Sequence, residues 1–460
     1  MIHTFSKNGI NLAIDVNSGA VHMVDELVYK ILTGSITSNH LQLQDHERQQ
    51  LETEYGKSAV IDALAEIHQL ISANLLFSDA HPLDEEVAHR PGVVKAICLH
   101  VAHDCNLSCA YCFASEGTFQ GERSMMNLST GKAAIDFLIR HSANRIHLEV
   151  DFFGGEPLLN MPLVKDVVAY ARSREQDTGK KFRFTLTTNA LALTDENMAW
   201  INEHMSNVVL SLDGRPEVND QMRKCRNGEG SYQKILPNIK KMVALRADRP
   251  HFVRGTFTRE NLDFTSDVAH LVDQGFREIS VEPVVAPPES PLSLRDEDCD
   301  LIEKEYDRLA ELYLQCANAG QSFRFFHFII DLKQGPCIKK RASGCGAGTE
   351  YVAITPEGDL YPCHQFVGNP DFYIGHVTTG LTAAQTLAQF ENATIYDKSE
   401  CRECWAKYYC SGGCHANAWH SNGSLIKPYA IGCRLEKSRI ETALMLAAKE
   451  SEGIDYDQSP

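Results

Sequence analysis

The chain has 460 residues, of which 43% are hydrophobic and 23% charged, with 30 Gly and 17 Pro. That excludes a single small module, a collagen-like repeat and a largely disordered polymer, and leaves room for about three domains. With 44 Lys and Arg against 61 Asp and Glu the net charge is −17, and no Lys/Arg-rich stretch stands out, so nucleic acid is not the expected partner. No run of about 18 apolar residues occurs, and the opening MIHTFSKNGINLAID lacks the apolar centre of a signal peptide, so the expectation is a cytoplasmic protein with no membrane span.

Residues 1–80 read as a first unit. Apolar alternation in HTFSKNGINLAIDVNSGAVHMVD, broken at Asn17-Ser18-Gly19, predicts a hairpin, and DELVYKILTG and SAVIDALAEIHQLISANLLF carry the three- and four-residue spacing of helices. Hairpin plus helices suggests a small winged-helix-like domain. Its four Lys/Arg against ten Asp/Glu argue against DNA and for peptide docking. Residues 81–92, polar with two Pro and no periodicity, read as a linker.

From 93 to 330, short runs rich in Val, Ile and Phe (VVKAICLHVAH, RIHLEVDFF, KFRFTLTTN, NVVLSLDG, HFVRGTFT, REISVEPVV) alternate with helical stretches such as LSTGKAAIDFLIRH and YQKILPNIKKMVALRA. Six β/α repeats of this kind predict an α/β fold with a parallel sheet, open or curved into a partial (β/α)6 barrel, and place function at the carboxyl ends of the strands. After the helix DCDLIEKEYDRLAELYLQCANAG, residues 331–450 turn Cys- and Gly-rich, with a hairpin EYVAITPEGDLYPC turning at Pro356-Glu357-Gly358. Apolar periodicity is too sparse there for a conventional core, so bound metal is expected to supply much of the stability. Residues 451–460 read as a tail.

The 15 Cys are an odd number without a secretion signal, which argues against a disulfide framework. Their clustering points to metal ligation. Cys105, Cys109 and Cys112 form CNLSCAYC on a loop after the first strand. An iron–sulfur cubane normally takes four thiolates, so three leave one iron open to another ligand, the alternative being a zinc site completed by His103. Farther on, Cys345, Gly358 and Cys363 are followed by CRECWAKYYCSGGC and Cys433. Cys98, Cys225, Cys299 and Cys316 have no partners in this pattern and behave as small hydrophobes.

CNLSCAYC after the first strand with GGEP (Gly154 to Pro157) after the second resembles the radical S-adenosylmethionine (SAM) superfamily. The resemblance implies that Cys105, Cys109 and Cys112 are the catalytic cluster ligands. It implies too that Gly154, Gly155 and Glu156 hold the SAM amino group, with Tyr111 beside the adenine. SLDG (Ser211 to Gly214) and DQMR (Asp220 to Arg223) are similar to the peptide-modifying branch, which makes Ser211 and Arg223 partners of the SAM carboxylate. Thr188 and Asn189 are placed at the ribose, with strand capping as the alternative. The second Cys pattern resembles the SPASM extension, whose auxiliary clusters would be held by Cys401, Cys404, Cys410 and Cys433, and by Cys345, Cys363 and Cys414. Cys337 is either a fourth ligand of the latter or free, leaving an open iron. Three [4Fe-4S] clusters and SAM are therefore the implied cofactors. Sulfatase-maturing members carry Asp after the Cys matching Cys363, where this chain has His364, a departure that counts against sulfatase maturation.

The whole layout, with IDVNSGAVH, CFASEGTFQGER and GCGAGTEYVAITPEGDLYPCHQFVG, resembles the maturases of six-cysteine SCIFF peptides. That implies a thioether between a Cys sulfur and the α-carbon of an acceptor, expected to be Thr, in a Cys-rich precursor. The implied partners are this precursor with its leader, bound by residues 1–80, and a low-potential electron donor. The alternatives are another peptide modification, carbon–carbon crosslinking or epimerisation, and a non-catalytic iron–sulfur scaffold.

Overall fold

The computed structural model describes residues 1–34, 36–37, 40–80, 84–89, 92–330, 332 and 338–451. Asn8 and Gly9 take left-handed backbone, with φ of 49° and 74°, the paired positive φ of a tight hairpin turn. The opening run therefore makes two hairpins where its alternation suggests one. Strands Ile2–Lys7, Ile10–Asp15 and Val21–Val24 form an antiparallel sheet with Ile10–Asp15 in the centre. The expected turn at Asn17-Ser18-Gly19 is present, and buried Asp15 secures it by accepting from the Asn17 and Ser18 N–H groups at 3.0 and 3.2 Å. Helices Glu26–Gly34, Asp45–Tyr55 and Lys57–Ser72 complete the unit around Leu27, Ile31, Val60 and Ile67. Asp45–Tyr55 escapes the periodicity argument because Leu51 is its one buried residue. Inside the stretch read as a linker, Asp84–Ala88 is a short helix whose Glu85 accepts from Arg402 at 2.9 Å; five residues are too few to show a period.

Six parallel strands follow, side by side in sequence order: Ala96–His103, His147–Gly154, Lys181–Thr188, Asn207–Ser211, His251–Phe257 and Glu278–Pro283. Crossover helices Leu128–His141, Met161–Thr178, Asp195–His204, Tyr232–Arg246 and Phe264–Asp273 connect them, and Cys299–Asn318 follows the last. The sheet does not close. One edge ends at Arg324–Phe325, and the other is extended by Tyr351–Ile354, parallel to the first barrel strand, and then by Asp359–Tyr361 antiparallel to it. The expected hairpin turning at Gly358, φ 101°, thus adds to the edge of the large sheet.

Strands of a parallel sheet covered on both faces read as continuous apolar runs; Ala96–His103 is buried throughout, but the next four strands alternate. In HLEVDFFG, Leu148, Val150 and Phe152 are fully buried beneath the helices, whereas Glu149, Asp151 and Phe153 on the other face keep contact with solvent. Lys181–Thr188 and His251–Phe257 repeat the pattern. Helices cover one face, and the polar face is left available to a ligand.

The Cys-rich region does contain a conventional core, contrary to expectation. Phe366 and Phe372 pack tilted at 37° with ring centroids 4.2 Å apart, Trp419 meets Phe372 edge-on at 4.8 Å, and Phe390 and Leu425 join them. These residues come from separate segments, so no period in the sequence reveals them. Helix Ala430–Ser451 closes the chain. His3 of the first strand stacks on Trp405 at 3.9 Å and lies 2.9 Å from Glu441 of this helix. Among the described residues no helix is long and apolar enough to cross a membrane.

Candidate active site

The loop after Ala96–His103 must fold back across the end of the second strand to bring its thiols over the sheet. Two glycines permit this. A Cβ on Gly154 would lie 2.3 Å from the Ala102 carbonyl oxygen, and one on Gly155 2.2 Å from that of Asp104. In the space so kept, Gly155 N–H donates to Ala102 O and Glu156 N–H to Asp104 O, both at 2.8 Å. Gly155→Ala should therefore cost about 2–3 kcal/mol through overpacking against backbone that cannot yield, read as a lowered urea midpoint. From the other side, Leu107–Cys109 pairs antiparallel with Arg223–Cys225, placing Arg223 opposite Cys109.

One cavity of about 140 Å³ results, and every residue expected at the first cluster and at SAM lines it: Cys105, Cys109, Cys112, Tyr111, Gly154, Gly155, Glu156, Thr188, Asn189, Ser211 and Arg223. Burial, followed by the nearby Glu156 carboxylate, pushes the Cys105 thiol up to about 12, and burial pushes Cys109 up to about 11. Without a cation these sulfurs stay protonated; bound iron would supply the charge that makes them thiolates. Asn189 Nδ2 stands 3.6 Å from Cys105 Sγ and 2.7 Å from Asn106 Oδ1.

Glu156 is buried and well satisfied. Its carboxylate accepts from Leu158 N–H at 3.0 Å, the Thr188 hydroxyl at 2.7 Å and Asn189 N–H at 2.8 Å. Thr188 and Asn189, placed at the ribose by resemblance, thus also fix the acid beside them. Burial raises the Glu156 pKa against these hydrogen bonds.

The residue that sequence reasoning missed is Asp213, the acid within SLDG. Its two oxygens accept from the Tyr111 hydroxyl at 3.0 and 2.8 Å, and Arg223 Nη1 donates to the same hydroxyl at 2.7 Å. Arg223 and Asp213 are 4.0 Å apart, both buried. Burial pushes the Asp213 carboxyl up to about 6 against the pull of Arg223. Tyr111 and Arg223, expected at opposite ends of one ligand, are thus tied to each other. Arg223 lines the cavity, so its guanidinium is available to a ligand carboxylate, while its Nε is buried without a hydrogen-bond partner.

The later cysteines gather as two groups. Cys363 is raised by burial and then by Cys345, with Cys414 also contributing. Cys401 is raised by burial, with Cys433 and Cys404 adding to it against Lys398, and Cys410 by burial, Glu436, Cys433 and Cys401. Cys410, Cys414 and Cys433 line a second cavity of about 80 Å³ against Pro283 and Val284 at the end of the last barrel strand. All fourteen described cysteines are free thiols, and among the described residues no three His, Cys, Asp or Glu stand close enough to hold a single metal ion. Cys337 lies outside the described residues. Free thiols in two sets, of which Cys401 is buried and Cys345 and Cys414 are exposed, with buried Lys398 close by, fit thiolate-ligated clusters.

His364 joins the two regions. Its ring lies 5.4 Å from Phe113 and 5.2 Å from Phe153, both on the wall of the first cavity, and its Nδ1 is 3.2 Å from the Tyr351 hydroxyl. Burial, then Arg254, lowers its pKa to about 4, so the imidazole is neutral at pH 7. On the polar face nearby, Glu282 pairs with His327 at 2.7 Å and lies 3.9 Å from Arg254, which stays half exposed.

Residues 90–237 match a family described as a 4Fe-4S single cluster domain, and residues 345–405 match SPASM, an iron–sulfur cluster-binding domain. An uncharacterised protein of Methanocaldococcus jannaschii is 31% identical over 41% of this chain and 62% of its own length, so the match spans under two thirds of that relative. The cysteine-type anaerobic sulfatase-maturating enzyme of Clostridium novyi is 24% identical over 68% of this chain and 86% of its own. The radical SAM cyclopropyl synthase TigE of Paramaledivibacter caminithermalis is 22% identical over 79% and 76%. Among solved structures, native anSMEcpe with bound AdoMet covers 78% of this chain at 18% identity and a TM-score of 0.64. Streptococcus suis SuiB bound to S-adenosylmethionine covers 94% at 16% identity and 0.53. These two show a shared fold.

Proposed function

The chain carries a radical SAM core with a C-terminal SPASM domain, related to the anaerobic sulfatase-maturating enzymes and to TigE, and from that premise we propose that it is a maturase of ribosomally made, Cys-rich peptides, closing a thioether between a Cys sulfur and an acceptor α-carbon, with Thr as the expected acceptor. The observation that carries the reading is the single cavity at the strand ends. It gathers the three cluster cysteines and the residues expected at SAM, and Phe113 and Phe153 on its wall meet the ring of His364, next to Cys363. Relatives support a peptide substrate, since SuiB has been solved bound to its precursor peptide SuiA.

When bound, the clusters and SAM supply one-electron chemistry that removes a substrate hydrogen and takes up the electron left behind. The chain's own residues do the rest. Cys105, Cys109 and Cys112 hold the first cluster and leave one site for SAM. Arg223, its charge balanced by Asp213 and its plane fixed through Tyr111, offers its guanidinium on the cavity wall to the SAM carboxylate. Glu156, fixed by Thr188 and Asn189, faces the amino group. Phe113 and Phe153 exclude water between this site and the polar face where the peptide lies. A neutral His364 in place of Asp keeps an anion away from the donor thiol. Cys401, Cys404, Cys410 and Cys433, and Cys345, Cys363 and Cys414, hold the auxiliary clusters, and residues 1–80 take the leader.

The test is anaerobic: iron-loaded protein with dithionite, SAM and a Cys-rich precursor, following 5′-deoxyadenosine and peptide mass together. The expected result is a peptide lighter by two hydrogens with one Cys no longer alkylatable. A loss of two hydrogens with every Cys still alkylatable would replace the thioether by a carbon–carbon link, and a mass unchanged in H2O but raised by one deuterium in D2O would indicate epimerisation. No deoxyadenosine from fully loaded protein would end the enzymatic reading.

A further inference from the structure

Lys398 is fully buried, at 0% exposure, although lysine is almost never so placed without an anionic partner. Among the described residues no carboxylate pairs with it; its Nζ donates to one neutral acceptor, the Gly412 carbonyl, at 2.7 Å. The position of that carbonyl is what matters. Gly412 lies in Ser411-Gly412-Gly413, the link between Cys410 of one auxiliary set and Cys414 of the other. The link is shaped around the lysine, since Gly412 has φ 88° and a Cβ there would sit 3.2 Å from Nζ. At its own backbone Lys398 O accepts from Cys401 N–H at 3.0 Å. Burial disfavours the ammonium, and the groups acting against that are all cysteines, Cys401, Cys410, Cys414 and Cys433, drawn from both sets.

A buried cation with one neutral hydrogen bond is costly unless the missing negative charge arrives with a ligand. Thiolate-held iron–sulfur clusters are anionic, become more so on reduction, and take their potentials from nearby charge and hydrogen bonds. We propose that the Lys398 ammonium is the counter-charge shared by the two auxiliary clusters, favouring the reduced form of each and so raising both reduction potentials. Lys398 touches neither substrate nor SAM and is a positioning and tuning residue. The inference rests on the reading that these cysteines hold clusters, and not on the thioether product.

The experiment uses full-length protein in which Cys105, Cys109 and Cys112 are Ala, so that the auxiliary clusters alone give signals. Iron content is measured first, then midpoint potentials by electron paramagnetic resonance during reductive titration. Lys398→Met should retain iron and shift both auxiliary potentials to more negative values, while Lys398→Arg should stay near the parent. Lys398→Gln, which keeps a donor for Gly412 without the charge, should shift as Lys398→Met does and decides the matter where Lys398→Met loses iron. Unchanged potentials in an iron-replete Gln or Met variant would overturn the proposal. Absence of auxiliary iron from the parent would instead overturn the cluster reading on which it rests.

Discussion

Replacing Cys105, Cys109 and Cys112 together by Ala is expected to reduce deoxyadenosine formation to background while removing roughly a third of the bound iron, one cluster of three. The sulfurs occupy one wall of a cavity whose other walls are the GGEP turn, Thr188, Asn189 and Arg223. Nothing else there can ligate iron while leaving SAM its place. The fold should survive, because the segment is held by backbone pairing of Leu107–Cys109 with Arg223–Cys225, and of the three only Cys105 is buried, a small side chain beside Leu107 and Cys225. Iron assay, circular dichroism and product chromatography on one preparation check all three statements. Full deoxyadenosine production by the triple variant would sink the site assignment, and loss of all iron would sink the independence of the auxiliary sites.

Asp213→Ala carries the largest expected loss of stability, about 3–5 kcal/mol, the usual consequence of leaving a buried charge without its partner. Arg223 is 7% exposed and Asp213 1%. Removal of the carboxylate strands the guanidinium and takes from Tyr111 the acceptor of its hydroxyl and from Thr256 the acceptor of its N–H, at 3.1 Å. Asp213→Asn keeps an acceptor for both but not the charge and should fall between. Urea titration of the metal-free, reduced proteins measures the difference. A variant with Ala at 213 as stable as its parent would mean that Arg223 is compensated elsewhere. The same arginine is to hold the SAM carboxylate, so SAM affinity should fall with stability in both variants.

Spacing made the cysteines legible. CxxxCxxC, GGEP and the CxxC, CxxxxxC, CxxxC series keep their intervals because each ligand must come from a short, shaped loop, so local sequence carries most of the geometry. The six strands were legible because short runs rich in Val, Ile and Phe alternate with helical stretches along the chain. The turn at Asn8-Gly9 was equally open to reading, as Asn-Gly is a strong hairpin signal, and it was overlooked because the apolar alternation runs on through it.

Other features were out of reach in one dimension. Asp213 stands two residues beyond Ser211 in a motif already singled out, yet its role depends on Tyr111, which is 102 residues from Asp213 and 112 from Arg223 along the chain. Lys398 reads as an ordinary surface lysine in DKSECRECW, and only its burial against Gly412 sets it apart. The aromatic core of Phe366, Phe372, Phe390 and Trp419 follows no period. The sequence by itself determined the repeating β/α units and the places of the cysteines, matters of spacing along one strand or loop. The tertiary structure alone decided which charges are buried together, which face of the sheet stays open and how the Cys-rich hairpin joins its edge. Burial and pairing are properties of what folds against a residue from elsewhere in the chain, and no local pattern encodes them.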